Sequence, residues 1–414
     1  MPASSVNGRI ASALSTAIAT CSIALLVGGC ASSNTSSSRA EAAPRQDAGS
    51  MPAKRSMLSG ARQDSTAILA SSHSSRTGRS EPSNSPQFSM FGEIPASHAG
   101  SHQSRFPFEG TENIRQVTVS AYGRDFDPVA GPDGSHIFFA STRHRPTADI
   151  YSARIGSESV TQLTSDPAHD VMPSVSRDGQ RIAFASNRNG SWDIYLMNAT
   201  GGQAVQITDD PAQELHPSWS ADGSKLAFCR LGIASDRWEV WVVDLNRQDA
   251  PQFLTYGLFP EWHPSEDTLL FQRSRDREDR FFTIWTVDYT NGGASSPTEI
   301  ASSASAAFIN PTWSTDGRFI SYASVLNPPN AVPGTRPETA DVWIQSADGG
   351  MATNITGGWF VNLMPTWGPR GDLFFVSDRD GFDNIWSINP RQAILAAGAE
   401  PPTGTDIANV NVNE

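Results

Sequence analysis

Cysteine is scarce in this chain, with three residues in 414: Cys21, Cys30 and Cys229. A small secreted scaffold built on disulfides needs an even and denser set, so that class of protein is excluded. Cys21 lies within an N-terminal apolar stretch, and Cys229 lies within a predicted strand, where a small buried side chain fits. Cys30 is therefore the cysteine that carries information about function.

Basic residues are also in deficit, because 30 Lys and Arg face 43 Asp and Glu, for a net charge of −13. Non-specific binding to nucleic acid depends on Lys and Arg that neutralise phosphates. We therefore expect no nucleic-acid partner.

Sequence motifs of catalysis are missing as well. There is no Gly-x-Ser-x-Gly elbow, no His-Glu-x-x-His, no Gly-x-Gly-x-x-Gly and no phosphate loop. This favours a protein that is not an enzyme and that needs no cofactor.

The N-terminal third differs in composition from the rest, since aromatic residues are sparse before Phe106. Residues 10–27 are apolar or small, with Arg9 as the preceding charge, which is typical of a signal peptide. Val27-Gly28-Gly29-Cys30 resembles the bacterial lipobox, in which the cysteine is acylated and anchors the mature protein. The alternative is an uncleaved membrane helix of marginal length.

This pattern predicts four segments. They are a lipoprotein signal peptide (1–29), a lipidated and disordered linker rich in Ser and Ala (30–110), a folded domain (111–390) and a flexible tail (391–414). The linker is too polar to offset its ordering entropy. Ala31 after the cysteine resembles sorting to the outer membrane, so we expect a periplasmic, lipid-anchored envelope protein.

The folded segment contains six copies of one repeat, in which a proline is followed by an apolar residue and a tight turn. The prolines stand 43 to 54 residues apart, at Pro128, Pro173, Pro217, Pro260, Pro311 and Pro365. Each copy continues into an apolar strand such as Ile182–Ala185 and a strand such as Ile194-Tyr195. A period of this length with short strands predicts an all-β, six-bladed β-propeller.

Five copies of a fourth strand serve six blades, and residues 114–118 carry the missing one upstream of the first blade. We therefore predict that this N-terminal strand completes the last blade and closes the ring.

The repeats resemble those of the TolB propeller family, also described as WD40-like PD40 repeats. Pro173 to Thr208 carries the pattern best, with Pro-Ser-Val-Ser-Arg-Asp-Gly, then Ile-Ala-Phe-Ala-Ser-Asn-Arg, Asp-Ile-Tyr and Gln-Ile-Thr. The resemblance implies a periplasmic propeller that binds protein partners in the envelope. TolB itself has an α/β domain before its propeller, where this chain has the lipobox and the predicted linker.

Loops between the second and third strands differ from blade to blade, and variable loops on a rigid frame usually carry function. They supply the predicted binding face: Arg143, His144, Arg188, Arg230, Arg273, Arg275, Arg277 and Arg379. The alternative for each is a solvated loop charge. The loop from Ala323 to Ala340 is the longest and contains four prolines, which suits a semi-rigid contact.

Residues before the prolines should line the mouth of the central channel: Asp127, Asp170, Glu214 and Asn310. Clustered carboxylates there would suit Ca²⁺, and the alternative is an acidic, water-filled channel.

The function we expect is a membrane-tethered scaffold that docks an envelope protein or a cell-wall component. The alternative is a saccharide- or peptide-processing propeller, because fold does not determine function.

Overall fold

The structure is a computed structural model that describes residues 113–120, 122–247, 250–274, 282–326, 336–350, 352–396 and 399–401. The predicted signal peptide, Cys30 and the predicted linker lie outside these residues. So do Arg275, Arg277 and residues 327–335 of the long loop.

Each repeat forms one four-stranded antiparallel sheet, and there are six such sheets among the described residues. The second strands are apolar over consecutive residues, as in Ile182–Ala185, and these side chains are buried on both faces. Continuous burial follows because each sheet is packed between two neighbours. The tight turns after the inner strands hold Gly134, Gly179, Gly223 and Gly317 at positive φ, where glycine is favoured.

The first three blades follow one another along the chain. Blade one consists of β2 (Asp125–Ala130), β3 (His136–Ser141), β4 (Asp149–Arg154) and β5 (Val160–Gln162). Blade two consists of β6 (Asp170–Val175), β7 (Arg181–Ser186), β8 (Asp193–Asn198) and β9 (Val205–Gln206). Blade three consists of β10 (Glu214–Trp219), β11 (Lys225–Gly232), β12 (Arg237–Asp244) and β13 (Gln252–Tyr256).

The strands of the last three blades vary more in length, from two to nine residues. Blade four consists of β14 (Leu258–Trp262), β15 (Thr268–Ser274), β16 (Phe282–Thr290) and β17 (Gly293–Ala301). Blade five consists of β18 (Ala306–Trp313), β19 (Phe319–Leu326), β20 (Asp341–Ser346) and β21 (Thr353–Asn354). Blade six consists of β22 (Asn362–Trp367), β23 (Leu373–Ser377), β24 (Asn384–Ile388) and β1 (Arg115–Gln116).

The N-terminal strand closes the ring, as predicted. In β1, Arg115 pairs with Ser387 and Gln116 pairs with Trp386, both in β24. The amide of Val117 continues this edge by donating to the carbonyl of Ile385 at 2.8 Å. The inner strands contact one another in blade order, and β2 contacts β22, so the first and last blades are neighbours.

The tryptophans that recur two residues after the repeat prolines are buried between blades. They are Trp219, Trp262, Trp313 and Trp367, each at most 7% exposed. The Trp219 Nε1 donates to the carbonyl of Ser174 in the preceding blade at 3.0 Å. Cys229 is fully buried in β11, as expected of a small apolar side chain.

The predicted tail begins with a helix rather than a flexible segment. Helix α1 (Arg391–Ala396) buries Ile394 in the same apolar cluster as Phe319 and Ile344 of blade five. The outermost strand of that blade has only two residues, so it leaves apolar side chains for the helix to cover. No helix among the described residues is long and apolar enough to cross a membrane.

Candidate functional site

The up-and-down order of the strands gives the propeller two different faces. In blade one, Asp125 at the start of β2 pairs with Ser141 at the end of β3, and Ser141 pairs with Asp149 at the start of β4. The loops between second and third strands therefore share a face with the segments that enter each inner strand, as predicted. We call this the loop face, and the face with the tight glycine turns the turn face.

Two predicted binding residues, Arg143 and Arg188, are held by equivalent contacts on the loop face. Arg143 Nη2 lies 2.6 Å from Asp125 Oδ2, and its Nε donates to Ser141 Oγ at 3.2 Å. Arg188 Nη2 lies 2.8 Å from Asp170 Oδ1. Both carboxylates are fully buried, so each arginine neutralises a buried charge of its own blade.

Both guanidinium groups also lie over an aromatic ring of the third strand. The Arg143 Cζ is 5.5 Å from the Tyr151 ring centre, and the Arg188 Cζ is 4.6 Å from that of Tyr195. Such stacking adds a cation–π contribution to the ion pair. The Ser-x-Arg pattern of these repeats therefore holds the blade together.

Arg230 makes the same type of contact from a different position in its strand. Its Nε and Nη2 donate to Glu214 Oε1 at 2.8 and 2.5 Å, and its Cζ lies 4.1 Å from the Trp241 ring centre. A second carboxylate, Asp210, lies 3.2 Å from Nη1. Arg230 is therefore more fully paired than either Arg143 or Arg188.

Arg379 in blade six departs from this pattern. Its Nη2 donates to the amide oxygen of Asn362 at 3.1 Å, at the position where blades one to three supply a carboxylate. Its Cζ lies 5.0 Å from the ring centre of Trp386 and 5.2 Å from that of Phe360. Burial lowers its pKa to about 10, so it remains cationic at neutral pH without a carboxylate bonded to it among the described residues.

Other predicted face residues lie apart from this set. His144 shares a hydrogen bond of 2.8 Å between its Nδ1 and the hydroxyl of Tyr151. Arg273 stacks over Trp285, with its Cζ 5.4 Å from the ring centre.

The four residues predicted at the channel mouth occupy two different levels. Asp170 and Glu214 begin their inner strands, three residues before the proline, and are paired with arginines as described above. Asp127 and Asn310 directly precede their prolines and line the channel cavity. The carboxylates of Asp170 and Glu214 are fully buried and do not belong to the cavity lining.

The channel wall is built by a deformation that all six inner strands share. The register between first and second strands shifts at the repeat proline in every blade, because proline has no N–H to donate. The residue before the proline takes a left-handed φ of 50 to 54° in each blade. This ring of six comprises Asp127, Met172, His216, Phe259, Asn310 and Met364.

These six residues surround a cavity of about 280 Å³ on the propeller axis, together with their prolines and the residues that follow. Burial raises the pKa of Asp127 to about 7, although the Met172 amide donates to it at 3.1 Å. Burial lowers the pKa of His216 to about 3 and raises that of Glu261 to about 8. Burial in the channel wall therefore disfavours charge of either sign on these side chains.

A metal ion is not supported by the grouping of ligands. Among the described residues, no three His, Cys, Asp or Glu side chains are grouped so as to hold a metal. Ca²⁺ takes six to eight oxygen ligands, and within the ring of six only Asp127 and Asn310 offer side-chain oxygen.

Exposed apolar side chains on the loop face were missed by the motif analysis. Within the described residues, five of the eight large hydrophobic side chains that are exposed lie on this face: Val119, Tyr122, Ile233, Leu326 and Trp359. Val205 and Phe253 lie on outer strands, and Leu395 lies on α1. Trp359 had a signal in the sequence, because it lies outside the two positions at which tryptophan recurs. One is two residues after the repeat proline, and the other is in the third strand, as in Trp241, Trp285, Trp343 and Trp386.

A family model described as the TolB beta propeller domain matches residues 77–291, which is more than half of the chain. The chain belongs to the TolB β-propeller family. The match includes blades one to three, which contain Arg143, Arg188 and Arg230, the arginines that pair with buried carboxylates.

One solved structure agrees with the family in fold at a TM-score of 0.50. The structure of a putative TolB from Agrobacterium tumefaciens is 21% identical with a TM-score of 0.50, and the match covers 64% of this chain and 90% of that one. TolB from Acinetobacter baumannii is 20% identical with a TM-score of 0.44, covering 68% of this chain and 64% of that one. An oligogalacturonate lyase from Vibrio parahaemolyticus is 13% identical with a TM-score of 0.44, covering 68% and 92%. At these identities, the likeness concerns the fold alone.

Proposed function

We propose that this chain is a lipid-anchored envelope protein whose TolB-like propeller binds another envelope protein on its loop face. The observation that carries the proposal is the concentration of exposed apolar side chains on that face. Tyr122 is 81% exposed and Trp359 is 53% exposed, and both precede the inner strands of neighbouring blades, one and six.

Tyrosine, tryptophan and arginine are the residue types that most often dominate binding energy at protein interfaces. Blade six supplies the arginine, because Arg379 has no carboxylate bonded to it in the described part of the chain and lies beside Phe360. In blades one to three, the equivalent arginines are paired with buried carboxylates. Blades six and one therefore form the most suitable part of the loop face for a partner.

A protein partner fits this surface better than a cell-wall glycan. Ile233 and Leu326 are 72% and 61% exposed on the same face, and aliphatic side chains offer nothing to sugar hydroxyls. Contact with a protein removes such apolar area from water, which is worth about 25 cal/mol per Å².

Anchoring is the part of the proposal that rests on sequence. Acylation of Cys30, with removal of residues 1–29, would hold the propeller at a membrane that bounds the periplasm, with Ala31 favouring the outer membrane. Two or three acyl chains give stable attachment where one is marginal.

The binding face is tested by site-specific photo-cross-linking in the native cell. A photoreactive phenylalanine analogue replaces Tyr122 or Trp359 on the loop face, and Val205 on the outer strand of blade two as a matched exposed control. We expect a discrete adduct with one envelope protein from the first two positions and none from Val205.

A fourth position, Arg177 in the blade-two turn, reports on the turn face. Adducts of equal yield from Arg177 and from Trp359 would contradict a docking site on the loop face. Adducts with glycan strands in place of a protein would contradict the choice of partner.

A further inference from the structure

The ring of six around the propeller axis alternates in chemistry from blade to blade. Blades one, three and five contribute Asp127, His216 and Asn310, which bear hydrogen-bond acceptors. Blades two, four and six contribute the apolar residues Met172, Phe259 and Met364. Three acceptors therefore stand around one cavity with approximate threefold spacing.

Two of these acceptors lack a hydrogen-bond partner among the described residues. Asn310 is only 8% exposed, yet its Oδ1 has no donor. The Nε2 of His216 is buried and likewise without a partner. Buried polar atoms are nearly always hydrogen-bonded in folded proteins, so these two point to a donor that comes from outside the chain.

We propose that the channel binds a small primary amine in its ammonium form, with its three N–H groups directed at Asp127, His216 and Asn310. An ammonium has three donors and no acceptor, which matches three acceptors that stand around one cavity. As a neutral imidazole with its proton on Nδ1, His216 accepts through Nε2. The cavity volume of about 280 Å³ suits an aliphatic amine of a few carbons.

Charge and apolar contacts support the same ligand. The cavity lining described above contains no Lys or Arg, so Asp127 has no cation of the protein beside it. Phe259 and the two methionines face the aliphatic part, and an aromatic face also attracts a cation. An anion would meet acceptors on three sides.

Binding should release protons near neutral pH. Burial raises the pKa of Asp127 to about 7, and an adjacent ammonium would lower it again. His216 and Glu261 are the other titratable groups in the described lining. His216 is already neutral at this pH, and Glu261 is engaged through Oε1 with Thr312 Oγ1 at 3.0 Å.

The proposal is tested by isothermal titration of the full chain at pH 7 with two probes. One is n-butylammonium chloride, and the other is n-butyltrimethylammonium chloride, which keeps the charge and the chain but has no N–H. We expect saturable binding of the first, and an affinity at least about tenfold weaker for the second, because three charge-assisted hydrogen bonds are lost. Equal affinities would overturn the proposal, as would no saturable binding of n-butylammonium up to about 10 mM, well above a weak millimolar Kd.

Two variants locate the site. Asp127→Asn and Asn310→Leu should each weaken n-butylammonium binding by about tenfold or more. Asp127→Asn should also reduce the number of protons released on binding, measured from the binding enthalpy in buffers of different ionisation enthalpy. Asp348→Asn removes the same charge from an exposed turn of blade five and should leave affinity unchanged. Wild-type affinity in Asp127→Asn, or tighter binding of CaCl₂ than of the amine, would refute the amine site. If a variant fails to fold, the comparison of the two probes on the unmodified chain still tests the proposal.

Discussion

Arg124 Nη1 lies 3.0 Å from Asp383 Oδ2 across the junction between the first and the last blade. Both side chains are buried, and the backbone amide of Asp125 donates to the carbonyl of Asp383 at 2.8 Å. Arg336, which lies in the long loop of blade five, binds the other oxygen of Asp383 at 2.7 Å. Burial acts to raise the pKa of Asp383, but Arg336 and Arg124 outweigh it and hold the pKa below its usual value.

Loss of this carboxylate should destabilise the ring. In Asp383→Asn, two buried guanidinium groups lose their shared counter-charge, and removing one member of a buried ion pair typically costs about 3–5 kcal/mol. Chemical denaturation measures the change. The matched control is Arg247→Gln, which breaks the exposed pair with Asp244 and should cost less than about 1 kcal/mol. Equal losses in the two variants would show that the junction does not depend on this pair.

Removal of the closing strand β1 should lower the stability of the propeller, whereas removal of the segment before it should not. Deletion of residues 31–105 leaves β1 in place, whereas deletion of 31–120 removes it and exposes the edge of β24. The second deletion also removes the Thr118 hydroxyl, which accepts from the Ile385 amide at 3.1 Å. We expect only the longer deletion to lower the melting temperature or to aggregate, and identical melting curves would contradict closure by this strand.

Stability should fall as the pH rises from about 4.5, where the unfolded carboxyl groups lose their protons, to about 8, where the folded ones have lost theirs. The pKa values of Asp127 and Glu261 are raised to about 7 and about 8, so the folded chain keeps protons that the unfolded chain releases at lower pH. The stabilisation is complete below the unfolded pKa and is lost as the pH passes the folded one. His216 opposes this trend only at lower pH, because its unfolded pKa is 6.5.

The Asp127→Asn variant separates this group from the rest. The variant should reduce the slope of unfolding free energy against pH. The reduction corresponds to at most one bound proton, or about 1.4 kcal/mol per pH unit. Urea denaturation at several pH values gives the slope, and Asp348→Asn should keep the wild-type slope. A slope in Asp127→Asn that matches the wild type would assign the linkage to other groups.

Replacement of Cys30 by serine tests the anchor. If the cysteine is acylated, Cys30→Ser should move the protein from the membrane fraction to the soluble fraction, because the acyl chains supply the attachment. Cys229→Ser is the control, since that thiol is buried in β11 and cannot be reached by an acyltransferase. Fractionation after a salt wash reads out both, and a fully membrane-bound Cys30→Ser protein would rule out the lipid anchor.

The sequence was enough to predict the repeat positions and the closure of the ring by β1. The repeats are local patterns, and the closure follows from the number of fourth strands. Proline, a tight turn and an apolar strand recur with each blade, and each pattern reflects hydrogen bonding or burial within a few residues. The closing strand followed from a count of fourth strands, since an unpaired strand edge is unfavourable. The helix at Arg391–Ala396 was missed because its burial depends on blade five, not on a pattern of its own.

The candidate site was only partly predictable. The sequence placed Arg143 and Arg188 on the correct face, but their partners Asp125 and Asp170 lie 18 residues away and are set by strand register. Asp127 and Asp170 were grouped as mouth residues, and the register shift at the proline places one in the channel and the other in an ion pair.

The sequence by itself determined the six blades, the strand order and the residues that precede each proline. Only the tertiary structure decided that Asp127, His216 and Asn310 alternate with apolar residues around one cavity. The reason is physical: these positions lie far apart along the chain, and no local preference relates them. They meet because the closing strand completes a ring of six similar sheets, which brings one residue from each blade to the same axis.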